Sequence, residues 1–373
     1  MIEERKRGAL LGLAWGDVLG CPVEGWRDRE IREAYGTYDR LPETYPLERI
    51  PEKRKKKLRP PGLHSDDTQQ AMGLVLTVLS GGWSLDRWTR LLVDGWKRQA
   101  WRGVGRNFTA AVHRLAKGEE ARRSGSPSAG IGAAMRTGPL GALISDPETR
   151  LTVALESSLS THSDQRAAVF AAVVAEAVSL FIGGKTPSEV PGLLSSFARK
   201  AEERVMQWKE AGWNVENADS RQVSDALGGL ASAIGDEPEE VRRLISDSAR
   251  PHLAEGFIRA HPNQGFVLLG GIHALAMACR SDMGPNEVLL SIIREGFDTD
   301  TVAAIAGSLL GARFGTDWIP ADRLADGERI GRYADALIIG QPFETAEEFF
   351  VKEAGWTSME TQYRRQRTSP AAG

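Results

Sequence analysis

Two short acidic segments, far apart in the chain, each precede a helix-forming stretch. The first is Ser65-Asp66-Asp67-Thr68 and the second is Asp298-Thr299-Asp300-Thr301. Asp and Thr are ordinary helix N-caps, and the helix dipole favours carboxylates there, so neither segment alone predicts a site. Adjacent carboxylates repel unless a cation lies between them, and oxygen ligands suit Mg²⁺, Mn²⁺ or Ca²⁺ rather than Zn²⁺. If the two segments meet in space, they can hold two hard cations.

The helices that would position these segments carry rows of glycine at four-residue spacing. Glycine weakens a helix by up to about 1 kcal/mol per site, so a row of glycines needs a structural reason. Close approach of another helix is the usual one. We therefore expect two central helices packed on each other. The two rows are Gly8, Gly12, Gly16 and Gly20, then Gly307, Gly311 and Gly315.

Other residues could do chemistry but also have ordinary structural explanations. Glu24 lies on a predicted loop, where an exposed carboxylate is common. The glycine loops at 103–105 and 124–132 could present backbone N–H groups to a phosphate, or be plain loops. His162 lies in a polar patch inside residues 151–184, which we expect to be helical, and a lone histidine is more often structural.

The composition is that of an ordinary soluble globular protein. The 373 residues are 41% hydrophobic and 26% charged, with a formal charge of -3. This charge gives no case for a nucleic-acid partner, without excluding one. Cys21 and Cys279 form no disulfide framework, no secretory cleavage pattern stands out, and the first apolar run is too short to cross a bilayer. We expect a cytoplasmic protein with no membrane partner. The basic run at 53–57 is interpreted as a solvated loop. The alternative is that it binds an anionic partner.

Taken together, the motifs resemble the ADP-ribosylglycohydrolase family, which includes the dinitrogenase-reductase activating glycohydrolases and the ADP-ribose-acceptor hydrolases. The resemblance runs from about residue 5 to residue 345 and depends on the order of five segments. These are residues 8–20 with Glu24, Ser65 to Thr68, Gly130 to Arg136, Thr161-His162, and Asp298 to Thr301 with the helix that follows.

The resemblance implies an all-α fold, a compact orthogonal helical bundle with a dinuclear metal site in a central cleft. It implies one domain over residues 1–350, and we expect residues 351–373 to form a partly disordered C-terminal tail. The implied cofactors are two Mg²⁺ ions, or Mn²⁺ in their place. The metal-ligand positions carried over are Ser65, Asp66, Asp67, Asp298, Asp300 and Thr301.

The same resemblance assigns the remaining site positions. Glu24, Asp66 and Asp67 are the catalytic candidates, because a carboxylate must handle protons during glycoside hydrolysis. Loops around the diphosphate and adenosine, and a histidine near the distal ribose, supply the substrate contacts. These positions are Gly103, Gly105, Ser128, Gly130, Gly132, Met135 and His162.

Three positions depart from the family pattern. Ile131 stands where relatives often have asparagine, and Ala129 where some have an aromatic residue. Phe297 replaces a frequent glycine beside the second acidic segment. None of the three removes a metal position, so we expect an active enzyme.

The implied activity is metal-dependent removal of ADP-ribose from a modified acceptor, with protein arginine as the leading acceptor. The implied partners are ADP-ribose and an ADP-ribosylated protein. The alternative is a toxin-immunity protein that occludes an ADP-ribosyltransferase, with residues 27–63 as a contact surface and hydrolysis secondary. A purely structural role is disfavoured because the ligand positions are intact.

Overall fold

The computed structural model describes residues 1–253 and 260–368. Helices account for the regular structure in these two ranges, and β-pairing there is limited to isolated bridges. The predicted all-α class is therefore confirmed. Within the described ranges the α-helices are α1 (Ile2–Gly20), α2 (Asp28–Tyr35), α3 (Glu52–Lys55), α4 (Asp66–Leu79), α5 (Leu85–Lys97), α6 (Arg106–Ala116), α7 (Gly138–Leu143), α8 (Pro147–Leu159), α9 (Gln165–Ile182), α10 (Val190–Glu210), α11 (Gln222–Ala233), α12 (Pro238–Ala249), α13 (Ile272–Ala278), α14 (Pro285–Arg294), α15 (Thr299–Phe314), α16 (Gly327–Ile339) and α17 (Ala346–Thr368).

Helices α1 and α15 pack antiparallel at backbone contact, as the glycine rows predict. A Cβ atom at Gly12 would lie 2.2 Å from the Gly307 carbonyl oxygen, and one at Gly8 would lie 2.3 Å from the Gly311 oxygen. At the far end, a Cβ at Gly20 would meet the Thr299 carbonyl oxygen at 2.4 Å. Glycine is required along this seam because any side chain would force the helices apart. The close seam places the end of α1 beside the start of α15, where the second acidic segment lies.

Helix α9 lies in the core and is apolar apart from Gln165, Arg166, Glu176 and Ser179. By length and composition it could cross a bilayer, but 78% of its apolar window is buried inside the protein. Core helices of globular proteins share these properties, so α9 does not indicate a membrane span. It packs against α7, α8 and α15, and so supports the helix that carries the second acidic segment.

The predicted helix over residues 151–184 is interrupted. Helix α8 ends at Leu159, and α9 begins at Gln165 after an Asp164 side-chain cap. The Asp164 carboxylate accepts hydrogen bonds from the backbone N–H and the side chain of Arg166, which fixes the new helix start. His162 therefore lies in a buried turn between two helices rather than on a helix face.

The expected C-terminal tail is wrong for residues 351–368, which belong to α17. Phe349, Phe350 and Glu353 of this helix are buried against the rest of the protein, and burial of this kind holds a terminal helix in place. Residues 369–373 lie outside the described residues. The assignment of residues 1–350 to one domain stays a prediction.

Candidate active site

An open cleft of about 570 Å³ brings the predicted site residues together. Its walls come from the N-terminal ends of α4, α6 and α15 and from the segments between helices. Ser65 is the exception, because it is buried behind the cleft surface. The predicted residues that line the cleft are Glu24, Asp66, Asp67, Gly103, Gly105, Ser128, Gly130, Gly132, Met135, His162, Asp298, Asp300 and Thr301.

The first acidic segment is the N-terminus of α4. The Ser65 hydroxyl oxygen accepts a hydrogen bond from the Asp67 N–H at 3.1 Å, so Ser65 is the N-cap of the helix. Asp66 and Asp67 follow in the first turn, where the helix dipole favours negative charge. Gln70, one turn later, donates to Asp66 Oδ2 at 2.8 Å and fixes that carboxylate. The cap therefore aims both aspartates at the cleft.

Asp17, which no sequence motif identified, is hydrogen-bonded to the start of this segment. Its fully buried carboxylate accepts hydrogen bonds from the Ser65 N–H at 3.0 and 3.1 Å and from the Thr68 N–H at 3.1 Å. The Thr68 hydroxyl donates to the same carboxylate at 2.6 Å. Asp17 thus fixes the start of α4 against α1. The available signal was an aspartate inside the otherwise apolar stretch 8–20, where burial without partners is costly.

The second acidic segment is the N-terminus of α15. Asp298 donates its N–H to the Asn263 carbonyl at 3.1 Å, and the Thr299 hydroxyl donates to the Gly20 carbonyl at 2.9 Å. Asp300 Oδ1 accepts from the Thr301 N–H at 3.0 Å. These bonds attach the segment to the end of α1, and the Asp298 and Asp300 side chains face the same cleft as the first segment.

Burial and mutual repulsion raise the pKa values of the four cleft aspartates. Burial and then the charge of Asp17 raise the pKa of Asp66 to about 7, although Arg59 opposes the shift. Burial and Glu24 raise the pKa of Asp298 to about 6. Burial and neighbouring carboxylates also raise the pKa values of Asp67 and Asp300.

The donor set fits hard divalent cations. Asp67 Oδ2 is buried and has no hydrogen-bond partner, so it has a free coordinating oxygen. Carboxylate and hydroxyl oxygens without nearby lysine suit Mg²⁺ or Mn²⁺. One oxygen each from Asp17 and Asp300 and the sulfur of Cys21 also lie within 4.8 Å of one another. A cation among these carboxylates would offset the repulsion that raises their pKa values.

The Glu24 loop is attached to the second acidic segment. The Gly25 N–H donates to the Phe297 carbonyl at 2.6 Å, and the Phe297 N–H donates to the Trp26 carbonyl at 2.7 Å. Phe297 has a positive φ of 66°, which is unusual for a residue with a side chain. Its ring stacks on His261 and lies under the Arg27 guanidinium, 4.3 Å away. Phe297 therefore forms a cleft wall and holds Glu24 beside the aspartates.

The opposite wall consists of the glycine loops. Gly103 has a φ of 81°, and a Cβ there would lie 2.3 Å from the Arg59 guanidinium, so this position requires glycine. Gly105 is the N-cap residue of α6. Asn107 donates to the Ser128 hydroxyl at 2.9 Å, and the Gly130 N–H donates to the same oxygen at 3.2 Å. Free backbone N–H groups at such helix starts can bind anions.

His162 lies beneath the Gly132 loop and is 5% exposed. Its Nδ1 lies 2.9 Å from the Thr161 hydroxyl. Burial, together with the charge of Arg136, lowers its pKa to about 3. The imidazole is therefore neutral at ordinary pH and can act as a hydrogen-bonding group rather than as a cation.

Two of the three departures from the family pattern lie in the 124–132 loop. Ile131 is buried and has no side-chain amide to offer a ligand, and the Ala129 carbonyl accepts the Val267 N–H at 3.0 Å.

Several residues that line the cleft were not identified from the sequence. Polar and aromatic residues outside any recognisable motif complete the lining. These are Arg27, Gln70, Arg106, Asn107, Phe108, Gln264 and Phe266.

Fold and site together define a helical protein with a cluster of carboxylates in a polar cleft. The chain belongs to the ADP-ribosylglycohydrolase family, whose model matches residues 1–346. This membership supports a hydrolase of ADP-ribose linkages and confirms the resemblance found in the motifs. Helix α17 lies beyond the matched residues almost entirely.

Two relatives and one solved structure are similar to this chain. The uncharacterized protein YegU of Escherichia coli (strain K12) is 26% identical over 90% of this chain and 97% of its own length. An uncharacterized Archaeoglobus fulgidus protein is 33% identical over 38% of this chain and 43% of its own. The solved structure of an ADP-ribosylglycohydrolase-related protein complex covers 91% of this chain and 99% of its own, with a TM-score of 0.62 and 23% identity, which supports the fold.

Proposed function

We propose that this protein is a metal-dependent hydrolase that cleaves the bond between ADP-ribose and a modified protein arginine. The observation that carries the proposal is the convergence of two distant acidic segments, residues 65–68 and 298–301, at the base of one cleft. The family supports the ADP-ribose part of the substrate. Metal dependence and the arginine acceptor are our inferences from the cleft chemistry.

Two Mg²⁺ ions, or Mn²⁺ in their place, would be held by the side chains of the two segments. Bound cations would supply positive charge to the ribose hydroxyls and to a water molecule. Ser65 fits this role least, because its hydroxyl caps α4 and does not line the cleft. The residues proposed to hold the cations are Asp66, Asp67, Asp298, Asp300 and Thr301.

The glycine loops would bind the rest of ADP-ribose. Backbone N–H groups around Gly103 and Gly105 suit a diphosphate, since they can donate hydrogen bonds to its oxygens. Gly130 lies on the same wall, where its own N–H donates to the Ser128 hydroxyl. The neutral imidazole of His162 suits a ribose hydroxyl. Ser128, Gly132 and Met135 complete this wall. Together these contacts would orient the anomeric carbon toward the aspartates.

The reaction consumes one water molecule. A carboxylate accepts a proton from that water as its oxygen bonds to the anomeric carbon, and the carbon–nitrogen bond to the guanidino group breaks. A proton then reaches the departing nitrogen, giving ADP-ribose and arginine. Glu24, Asp66 and Asp67 are the carboxylates in place for these transfers.

The acidic cleft also favours a cationic acceptor. Five carboxylates line it, and Glu24 is not among the residues proposed to hold the cations, so its charge stays available to attract a guanidinium. This is the physical reason to rank protein arginine above serine or nucleic acid as the modified acceptor. We propose the ADP-ribosylated protein and ADP-ribose as the partners.

The test is release of free ADP-ribose from arginine-, serine- and nucleic-acid-linked substrates, with Mg²⁺ or with a chelator. We expect Mg²⁺-dependent release, fastest from arginine, and loss of at least about 100-fold in Asp67→Ala and Asp300→Ala. Unchanged hydrolysis in both variants would contradict the proposal. Full protection of cells from an ADP-ribosyltransferase toxin by both inactive variants would instead favour the occluding immunity protein.

A further inference from the structure

A basic segment borders the Glu24 side of the cleft. Helix α3 and the turn after it include Lys53, Arg54, Lys56 and Lys57. The Arg54 guanidinium lies 5.6 Å from the centroid of Trp26, and a Cβ atom at Gly25, which lines the cleft, would be 3.5 Å from Arg54 Nη1. The segment is therefore next to the cleft rim rather than on a remote loop.

Two other parts of the chain extend this basic face. Helix α17 packs its end on the basic segment, because Arg364 donates to the carbonyls of Lys57 and Leu58 at 3.3 Å each. Arg367 follows on the same helix, over Tyr363. Arg27 adds a further cation on the cleft wall itself. A positive surface is thus built from segments distant in sequence.

The positive charge of this face is only partly neutralised. Glu30 accepts Arg54 at 2.7 Å and lies 3.4 Å from Lys53 Nζ. Lys56 and Lys57 are exposed and form no ion pair with the residues that the structure describes. The chain as a whole has a formal charge of -3, so this local excess contrasts with the rest of the molecule.

We propose that the basic face formed by Lys53, Lys56, Lys57 and Arg27 docks an acidic segment of the modified protein substrate. The inference rests on the proposed function, because it places the acceptor protein at the Glu24 side of the cleft. Acidic side chains next to the modified arginine would be drawn to this face, while the arginine itself enters the acidic cleft. Complementary charge of this kind mainly raises the rate of encounter.

The composition of the face favours a protein over a nucleic acid. Single-stranded nucleic acids bind on exposed aromatic rings, but Trp26 and Tyr45 are buried at this face and Tyr363 is half-buried. The carboxylates of Glu30 and Glu52 also lie among the cations and would repel a continuous row of phosphates. Discrete acidic side chains can avoid those two positions.

Binding tests the surface without requiring hydrolysis. Fluorescence anisotropy would compare a glutamate-rich peptide, its glutamine-substituted counterpart and a single-stranded DNA oligonucleotide. At low ionic strength we expect tighter binding of the acidic peptide, weakened about tenfold in the triple variant Lys53→Gln, Lys56→Gln, Lys57→Gln. The matched control neutralises three exposed lysines away from the cleft, Lys185→Gln, Lys200→Gln and Lys209→Gln.

The opposing outcomes are distinct. The docking surface is overturned if the two triple variants lose the same peptide affinity. It is also overturned if the enzyme binds the acidic peptide no more tightly than the glutamine peptide. Stronger binding of DNA than of the acidic peptide, lost in the first triple variant, overturns the partner class. If the unsubstituted enzyme still binds the acidic peptide more tightly than the Lys53, Lys56 and Lys57 triple variant at about 0.5 M salt, the surface is not electrostatic, since the Debye length is then only a few ångströms.

Hydrolysis separates this inference from the proposed function. The first triple variant should lose about tenfold in kcat/KM on an acidic ADP-ribosylated protein and keep its rate on free ADP-ribosyl-arginine. If the enzyme without substitutions hydrolyses neither substrate, the proposed function is refuted. The peptide-binding measurements would still test whether the basic face docks an acidic segment. Equal loss on both substrates would refute docking and leave the proposed function intact.

Discussion

Asp17 and Asp67 are both buried carboxylates of the candidate active site, yet their surroundings are opposite. Asp17 accepts hydrogen bonds from two backbone N–H groups and one hydroxyl. Asp67 has an oxygen without a partner and faces other carboxylates. Hydrogen bonds to a charged group stabilise it, whereas desolvation and like charges destabilise it. The same chemical change should therefore have opposite effects at the two positions.

We predict that Asp17→Asn lowers, and Asp67→Asn raises, the free energy of unfolding of the metal-free protein. The Asp17 variant loses charge-assisted bonds at a cost of about 2 kcal/mol or more. The Asp67 variant removes a repelled buried charge, for a gain on the order of 1 kcal/mol, while activity is lost. Denaturant unfolding in a chelator measures both changes. A destabilised Asp67→Asn would show that this carboxylate is satisfied without a cation.

The sequence could identify Asp66, Asp67, Asp298 and Asp300, because paired carboxylates at helix starts are a local pattern. Asp17 was missed because its partners belong to a segment distant in sequence, and no local spacing encodes them. Arg59 was missed for the same reason. It lies behind Gly103, where only the folded chain brings the two residues together.

At the scale of elements, the seam between α1 and α15 determines where the two acidic segments lie. Glycine spacing predicted this contact because it is a periodic signal within each helix. The end of α17 gave no such signal. Its buried Glu353 and Glu360 look like surface residues in the sequence, and only the arginines they contact explain their burial.

We predict that Gly12→Ala destabilises the protein by about 3 kcal/mol or more, because the new Cβ would lie 2.2 Å from the Gly307 oxygen. Gly331→Ala is the matched control. It lies in α16 with no atom within 4 Å of the added Cβ, so it should stabilise by about 0.5–1 kcal/mol. Thermal unfolding measures both. Similar effects of the two substitutions would contradict the importance of the seam.

Helix α17 should give the protein an acid-sensitive stability. Glu353 is fully buried, which alone would raise its pKa, but Arg102, His64 and Arg329 hold that pKa well below the usual 4.5. A lowered pKa adds stability that is complete above the unfolded-state value and is lost as the pH falls through the folded-state value. The loss should therefore occur below about pH 4.5.

We predict that Glu353→Gln costs about 3 kcal/mol or more at pH 7, since it leaves the buried Arg102 without its carboxylate partner, and that the cost shrinks on acidification below pH 4.5. Glu347→Gln, on the exposed side of the same helix, removes only a solvent-screened pair with Arg98 and should change the unfolding free energy much less at either pH. Denaturant unfolding at pH 7 and pH 4 compares the two. A pH-independent cost would show that the charge of Glu353 is not the cause.

At the scale of the whole molecule, individual patterns did not predict that the two acidic segments, the Glu24 loop and the glycine loops meet at one cleft. The order of five motifs in a known family did. The basic face could not be located from the sequence either, because Arg27 is far along the chain from Lys53, Lys56 and Lys57. Convergence of distant segments depends on packing of the whole chain rather than on local spacing.

That convergence links metal binding to global stability and to pH. Without metal, the folded protein binds more protons than the unfolded chain, because the pKa values of Asp66 and Asp298 are raised to about 7 and about 6. Stability of the metal-free protein therefore falls as the pH rises from about 4 to about 7. Buried His162 and His273 act in the opposite direction below about pH 6.5, but equally with and without metal.

We predict that Mg²⁺ or Mn²⁺ raises the Tm by several degrees at pH 8 and by much less at pH 5.5. At a concentration 100 times the Kd, binding to the folded state adds about 2.7 kcal/mol, and protons compete for the same carboxylates at low pH. The measurement is thermal unfolding with metal or chelator at both pH values, with Asp300→Ala as the control that should lose the metal response. An equal Tm increase at both pH values, or one retained in Asp300→Ala, would place the bound cation outside the cleft aspartates.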